Sequence, residues 1–137
     1  MVVGVDCRAM QSSQATWGYV VTAGFELWKP EEVISTLSHL GYQTIEWTLD
    51  HFNPRRRSST ELKEMVRLAE NKGLVGTQIA AFLDFVTGDD DVRQDKLQLA
   101  SETIRAASES GVSLVSIYAG PNSWDPRAPQ IPTELST

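Results

Sequence analysis

Cysteine is almost missing from this chain of 137 residues: Cys7 stands alone. No internal disulfide can form, and a lone thiol fits a reducing, cytoplasmic setting. Histidine is scarce too, with only His39 and His51. One cysteine and two separated histidines cannot supply the clustered ligands of a structural zinc site. No apolar run approaches the roughly 18 residues of a membrane span. The opening M-V-V-G-V-D-C-R has no basic segment leading into a long apolar one, as a signal peptide would. Positive charge is in deficit: 12 Lys and Arg against 18 Asp and Glu leave a formal net charge of −6. That balance argues against nucleic acid and against an anionic membrane as partners, since both want a basic surface. Arg55, Arg56 and Arg57 are the local exception, and three arginines on a loop read as a solvated turn. No G-x-S-x-G, P-loop or G-x-G-x-x-G occurs, and Cys7 has no histidine placed to activate it.

What is present is the composition of one globular domain, 41% hydrophobic and 22% charged, long enough to bury a core. The organising stretch is residues 40–50, L-G-Y-Q-T-I-E-W-T-L-D. There a glycine closes a helical pattern and a β-rich run follows. The same order returns at Gly73 (N-K-G-L-V-G-T-Q-I-A-A-F) and at Gly111 (E-S-G-V-S-L-V-S-I-Y-A). An amphipathic stretch, a glycine and a strand, repeated, is the pattern of βα units, which pair in parallel through right-handed crossovers.

Taken in order, residues 1–15 read as a leader or a short extra strand. Residues 17–23 have the aromatic and β-branched make-up of a buried strand. Pro30 suits a first helical turn, Glu31 and Glu32 complement its dipole, and Val33, Ile34, Leu37 and Leu40 draw one apolar stripe that Gly41 ends. A strand is expected at residues 43–49. Ser58 and Glu61 stand in capping-box spacing before Leu62, Met65, Val66 and Ala69. A third strand with its exit spans residues 75–85. The acidic turn at 87–91 reads as a dipole complement to the next helix rather than a set of metal ligands. On that helix Leu97, Ala100, Ile104 and Ala107 are expected to form the apolar stripe. A fourth strand covers residues 113–119, and residues 125–137 form a proline-rich loop or tail. Two architectures accommodate this order: parallel βα repeats making about half of a (β/α)8 TIM barrel over residues 16–124, or a small doubly wound sheet. A whole barrel takes roughly 250 residues, so this chain is not expected to close one by itself.

Alternation along the second strand puts Ile45, Trp47 and Leu49 on one face and Thr44, Glu46 and Thr48 on the other. With the apolar set against helices, Glu46 points into a barrel or cleft, where an unpaired carboxylate is costly. It either meets a ligand or bonds to a neighbouring strand's backbone or an arginine. His51 follows on the loop and belongs to a residue type that ligates metals. Asp84 at the third strand's exit, with Gln78 inside that strand, is placed to line the same mouth. Tyr118 suits a hydroxyl contact, a sugar face or the edge of the core. His39 lies within a helix and is assigned no chemistry. Trp17, Trp28, Trp47 and Trp124 read first as core formers.

The succession of units resembles the sugar phosphate isomerase/epimerase family, the xylose isomerase-like TIM barrels. The likeness is carried by P-E-E-V-I-S-T-L-S-H-L-G-Y-Q-T-I-E-W (residues 30–47), E-L-K-E-M-V-R-L-A-E-N-K-G-L (61–74) and A-A-S-E-S-G-V-S-L-V-S-I-Y-A-G (106–120), and extends over residues 17–124. It implies the amino-terminal half of the barrel and an active site where the strands' carboxyl ends meet. The implied substrate is a sugar or sugar phosphate, and the implied cofactor a divalent cation (Mn, Mg or Co). In that family the metal is held mainly by carboxylates and a histidine of the second half, and the proton-shuttling glutamates come from there as well. None of those positions exists in this chain. The resemblance therefore implies metal ligands outside it and leaves the catalytic residues unknown, with Glu46, His51, Asp84 and Tyr118 as substrate-binding candidates. Many relatives carry a histidine on the fourth strand just before its glycine, where this sequence has Tyr118-Ala119-Gly120.

The implied reaction is proton transfer next to a carbonyl, with the isolated chain expected to be inactive. A different class is a non-catalytic half-barrel that self-associates or pairs with a second-half chain through its sheet edges. A same-fold rival, a metal-dependent repair endonuclease, is disfavoured by the acidic balance and the missing basic stripe.

Overall fold

The computed structural model describes residues 10–12, 15–17, 19–21 and 25–117. Helix ends set its layout. Pro30 opens α1 (Pro30–His39), and the Lys29 N–H donates to Glu32 Oε2 at 3.0 Å. Ser58 caps α2 (Ser59–Asn71) reciprocally: the Glu61 N–H donates to Ser58 Oγ at 3.2 Å, and the Ser58 N–H to Glu61 Oε2 at 2.8 Å. Asp89 Oδ1 accepts the N–H groups of Asp91 and Val92 at 3.0 and 3.1 Å and so starts α3 (Asp90–Ser110). Gly41, Gly73 and Gly111 follow the three helices with φ of 82°, 87° and 85°, left-handed conformations that strain any residue with a Cβ.

Each of these glycines turns the chain into a strand. The strands β3 (Tyr19–Val21), β4 (Thr44–Thr48), β5 (Gly76–Ala81) and β6 (Leu114–Ile117) form one parallel sheet in the order β3-β4-β5-β6. The protein is thus an α/β chain of parallel βα units. Two further strands, β1 (Met10–Ser12) and β2 (Ala15–Trp17), make a separate antiparallel pair. The single strand expected over residues 17–23 is therefore divided: Trp17 belongs to that pair and Tyr19–Val21 to the main sheet. The pair also crosses the boundary expected between residues 15 and 16. Tyr118, Trp124 and the expected tail at 125–137 lie outside the described residues.

One face of the sheet meets the helices. Ile45, Trp47 and Ile79 cluster there with Val33, Ile34 and Leu37 of α1, Leu62, Met65, Val66 and Ala69 of α2, and Ala106 and Ala107 of α3. Ser38 Oγ donates to the Lys72 carbonyl at 2.7 Å and ties the ends of α1 and α2 together.

Two stripe assignments need correction. Leu40 is 64% exposed, because it is the C-cap of α1 and its position has turned off the buried face. On α3 the buried side chains are Ala100, Thr103, Ala106, Ala107 and Ser110, whereas Leu97 and Ile104 lie open. An α-helix advances about 100° per residue, so Leu97 and Ile104 share one line and the alanines another. Small residues face the sheet, and the large ones stand on a flank. No helix among the described residues is long and apolar enough to cross a membrane.

Candidate functional site

The opposite face of the sheet carries polar groups. Strand alternation that sends Ile45 and Trp47 toward the helices sends Thr44, Glu46 and Thr48 the other way. All three are buried, with Glu46 only 4% exposed. Glu46 lies at the middle of β4 and pairs in register with Gln78 of β5. Gln78 Nε2 donates to Glu46 Oε1 and, at 3.3 Å, to Ser116 Oγ of β6. One row of hydrogen bonds thus crosses three adjacent strands. Among the described residues the partner of Glu46 is a neighbouring strand's side-chain amide, rather than a backbone group or an arginine.

The remaining candidates are not drawn into this row. His51 follows β4 in a turn closed by its own N–H to the Thr48 carbonyl at 3.1 Å. It is 2% exposed and packs against Trp47, ring centroids 5.5 Å apart, on the helix-facing side. Its Nε2 sits 3.1 Å from the Trp28 carbonyl oxygen. A carbonyl only accepts, so that nitrogen carries the proton. His51 Nδ1 and Trp47 Nε1 are buried without a hydrogen-bond partner among the described residues. His51 therefore stitches the loop after β3 to the loop after β4. Asp84, at the exit of β5, accepts the Val86 N–H through Oδ1 at 2.8 Å, and its carbonyl accepts from Lys96 Nζ at 2.5 Å. It shapes the turn that leads to α3. Among the described residues no hydrogen bond joins Glu46 to either. Tyr118 lies outside the described residues.

The arginine run resolves unevenly. Arg55 Nε donates to Glu102 Oε2 at 2.6 Å, and its Nη1 to Asp95 Oδ1 at 2.8 Å, so this residue clamps the β4–α2 loop onto α3. Hydrogen bonds donated to Glu102 and then to Asp95 raise the Arg55 pKa further. A groove of about 180 Å³ lies between α2 and α3, lined by Arg57, Arg105, Glu102 and Glu109 among others. Two arginines and two glutamates leave its lining without net charge, and it belongs to the helix layer.

Gln78 was singled out from the sequence beside Asp84; Ser116 was missed. Its signal lay in L-V-S-I, where alternation groups Ser116 with Leu114 and sets both opposite Val115. The row offers oxygen donors, the type that hard cations take. Glu46 is its single anion, and no group of three or more His, Cys, Asp or Glu converges among the described residues. These residues by themselves do not fit a divalent ion. No protein-family model matches the chain, and no curated protein matches it either.

Proposed function

We propose that this chain is the substrate-facing, amino-terminal half of a (β/α)8 isomerase or epimerase acting on a sugar or sugar phosphate. The observation that supports it is the Glu46–Gln78–Ser116 row on the helix-free face of a parallel sheet. A sugar hydroxyl both donates and accepts, and the row presents a carboxylate, an amide and a hydroxyl within reach of one another. Glu46 would accept from one hydroxyl, with Gln78 holding the carboxylate in position and Ser116 exchanging bonds with the next. The proton-transferring groups and the ligands of the divalent cation (Mn, Mg or Co) are placed outside this chain. Such a cation would polarise the substrate carbonyl.

Titration of the isotope-labelled chain with ketoses, aldoses and their phosphates at millimolar concentration tests this reading. The expected result is saturable chemical-shift change at Glu46, Gln78 and Ser116, abolished by Gln78→Leu, without turnover. Absence of any saturable shift across the series would remove the sugar reading. Metal-dependent epimerisation by this chain alone would remove the placement of the catalytic groups.

A further inference from the structure

Charge on the helix-free face is one-sided. Thr48 stands two places beyond Glu46 on β4, so it shares the Glu46 face about 7 Å nearer the strand's carboxyl end. Its Oγ1 donates to Asp50 Oδ2 at 3.3 Å, which draws the Asp50 carboxylate to that same side. Asp84 adds a carboxylate at the exit of β5. Among the described residues no strand carries a lysine or arginine, and the cations belong to the helices, their caps and the β4–α2 loop. Arg93 and Lys96 reach from α3 to the exit of β5, where they donate to the carbonyls of Phe85, Thr87 and Asp84. Arg55 is held on the helix layer by Asp95 and Glu102. The donors of the row are committed as well. Gln78 Nε2 has two N–H groups and two acceptors, Glu46 Oε1 and Ser116 Oγ.

Resting on the sugar reading above, we infer that this half selects an uncharged sugar over its phosphate ester, and that Glu46 and Asp50 set the choice. A phosphate monoester carries about −1.5 to −2 charges at pH 7, and its oxygens accept hydrogen bonds. The row meets such a group with like charge and with few spare donors. A neutral hydroxyl donates to a carboxylate while accepting from the Ser116 hydroxyl, and it meets no net repulsion. Glu46 is buried, where charges act on each other more strongly than in water. With a hydroxyl on Glu46, the ester of a small sugar stays within about 10 Å of it. That is the Debye length at about 0.1 M salt, so salt screens the repulsion only in part. Asp50 stands toward the carboxyl ends of the strands, the side from which a barrel of this kind admits its substrate.

Titration of the isotope-labelled chain with fructose and glucose, each beside its phosphate monoester, tests the selection. A chelator is present so that no divalent cation bridges ester and carboxylate. The free sugars should saturate the shifts at Glu46, Gln78 and Ser116, and each ester should bind at least about tenfold more weakly. Raising salt from roughly 0.01 to 0.5 M should tighten ester binding several-fold and leave the free sugars unmoved. Asp50→Asn, at an exposed position, should narrow the gap between ester and sugar at least about threefold, with an unchanged far-ultraviolet spectrum. An ester that binds as tightly as its sugar overturns the selection and leaves the sugar reading intact. So does a gap that neither salt nor Asp50→Asn narrows, because size rather than charge would then exclude the ester. Saturation by neither sugar nor ester removes the sugar reading and the selection with it.

Discussion

At β4 the two faces of the parallel sheet are almost equally buried and are held by different forces. Ile45, Trp47 and Ile79, on the helix side, are 0% exposed, yet Thr44, Glu46 and Thr48 on the other face reach only 5%, 4% and 2%. Burial alone does not distinguish them. On the helix side stability comes from area and shape, since apolar side chains fill the spaces between helices. On the other face each polar atom needs a partner, because an unpaired one costs more than a paired one gains. The apolar face tolerates loss of area in proportion to the volume removed, while the polar face depends on a few directed bonds. A site for a polar ligand belongs on the second kind of surface.

Trp47→Ala tests the first half of that contrast and should have the largest effect. It removes a fully buried indole from the centre of the core, with an expected loss of about 3–5 kcal/mol. Urea unfolding measures it, and a loss below about 1 kcal/mol would mean that the helix layer is not packed as described. Gln78→Leu tests the other half. It leaves the buried Glu46 carboxylate without its amide donor and should cost about 1–3 kcal/mol at neutral pH. Adding Glu46→Leu should then recover most of the loss, since removing both partners also removes the unpaired group. If the double variant is no better than the single one, the polar face is held by shape after all.

Much of this contrast was legible from residue order. Alternation in T-I-E-W-T assigned Ile45 and Trp47 to one face and Glu46 to the other, and the structure keeps that division. Ser58 with Glu61 marked the start of α2 through a purely local bond pattern, which sequence spacing encodes directly. Ala100 and Ala107 of α3 are buried as expected, but Leu97 and Ile104 were misjudged because apolar spacings of three and four do not say which line along a long helix faces inward. The close approach of α3 to the sheet selected alanines over the larger Leu97 and Ile104. The contact made by His51 was hidden for another reason. Its partner is the Trp28 backbone carbonyl, and a main-chain acceptor from a distant loop leaves no trace in residue identity. The Gln78–Ser116 contact depended on strand register between β5 and β6, which only the three-dimensional pairing settles.

The smallest effect is expected where a polar contact lies in water rather than on the buried face. The Arg55 clamp spans the helix layer with both side chains partly solvated, 34% for Arg55 and 26% for Glu102, so solvent and salt screen it. Bonds from Arg55 and then Gln98 hold the Glu102 carboxyl below its ordinary value of 4.5. A pKa lowered by folding contributes stability that is complete above the unfolded value and is lost as pH falls through the folded one. The difference in Tm between the native chain and Glu102→Gln should therefore be constant at neutral pH, begin to shrink near 4.5 and disappear in stronger acid. Glu61 and Glu64 are lowered as well, by Ser58 and Arg67, and they titrate alike in both proteins, so the difference isolates the clamp. Added salt should shrink that difference without touching the penalty of Gln78→Leu. If salt instead reduces both equally, the Glu46 row is wetted, and the two faces differ less than their bonding suggests.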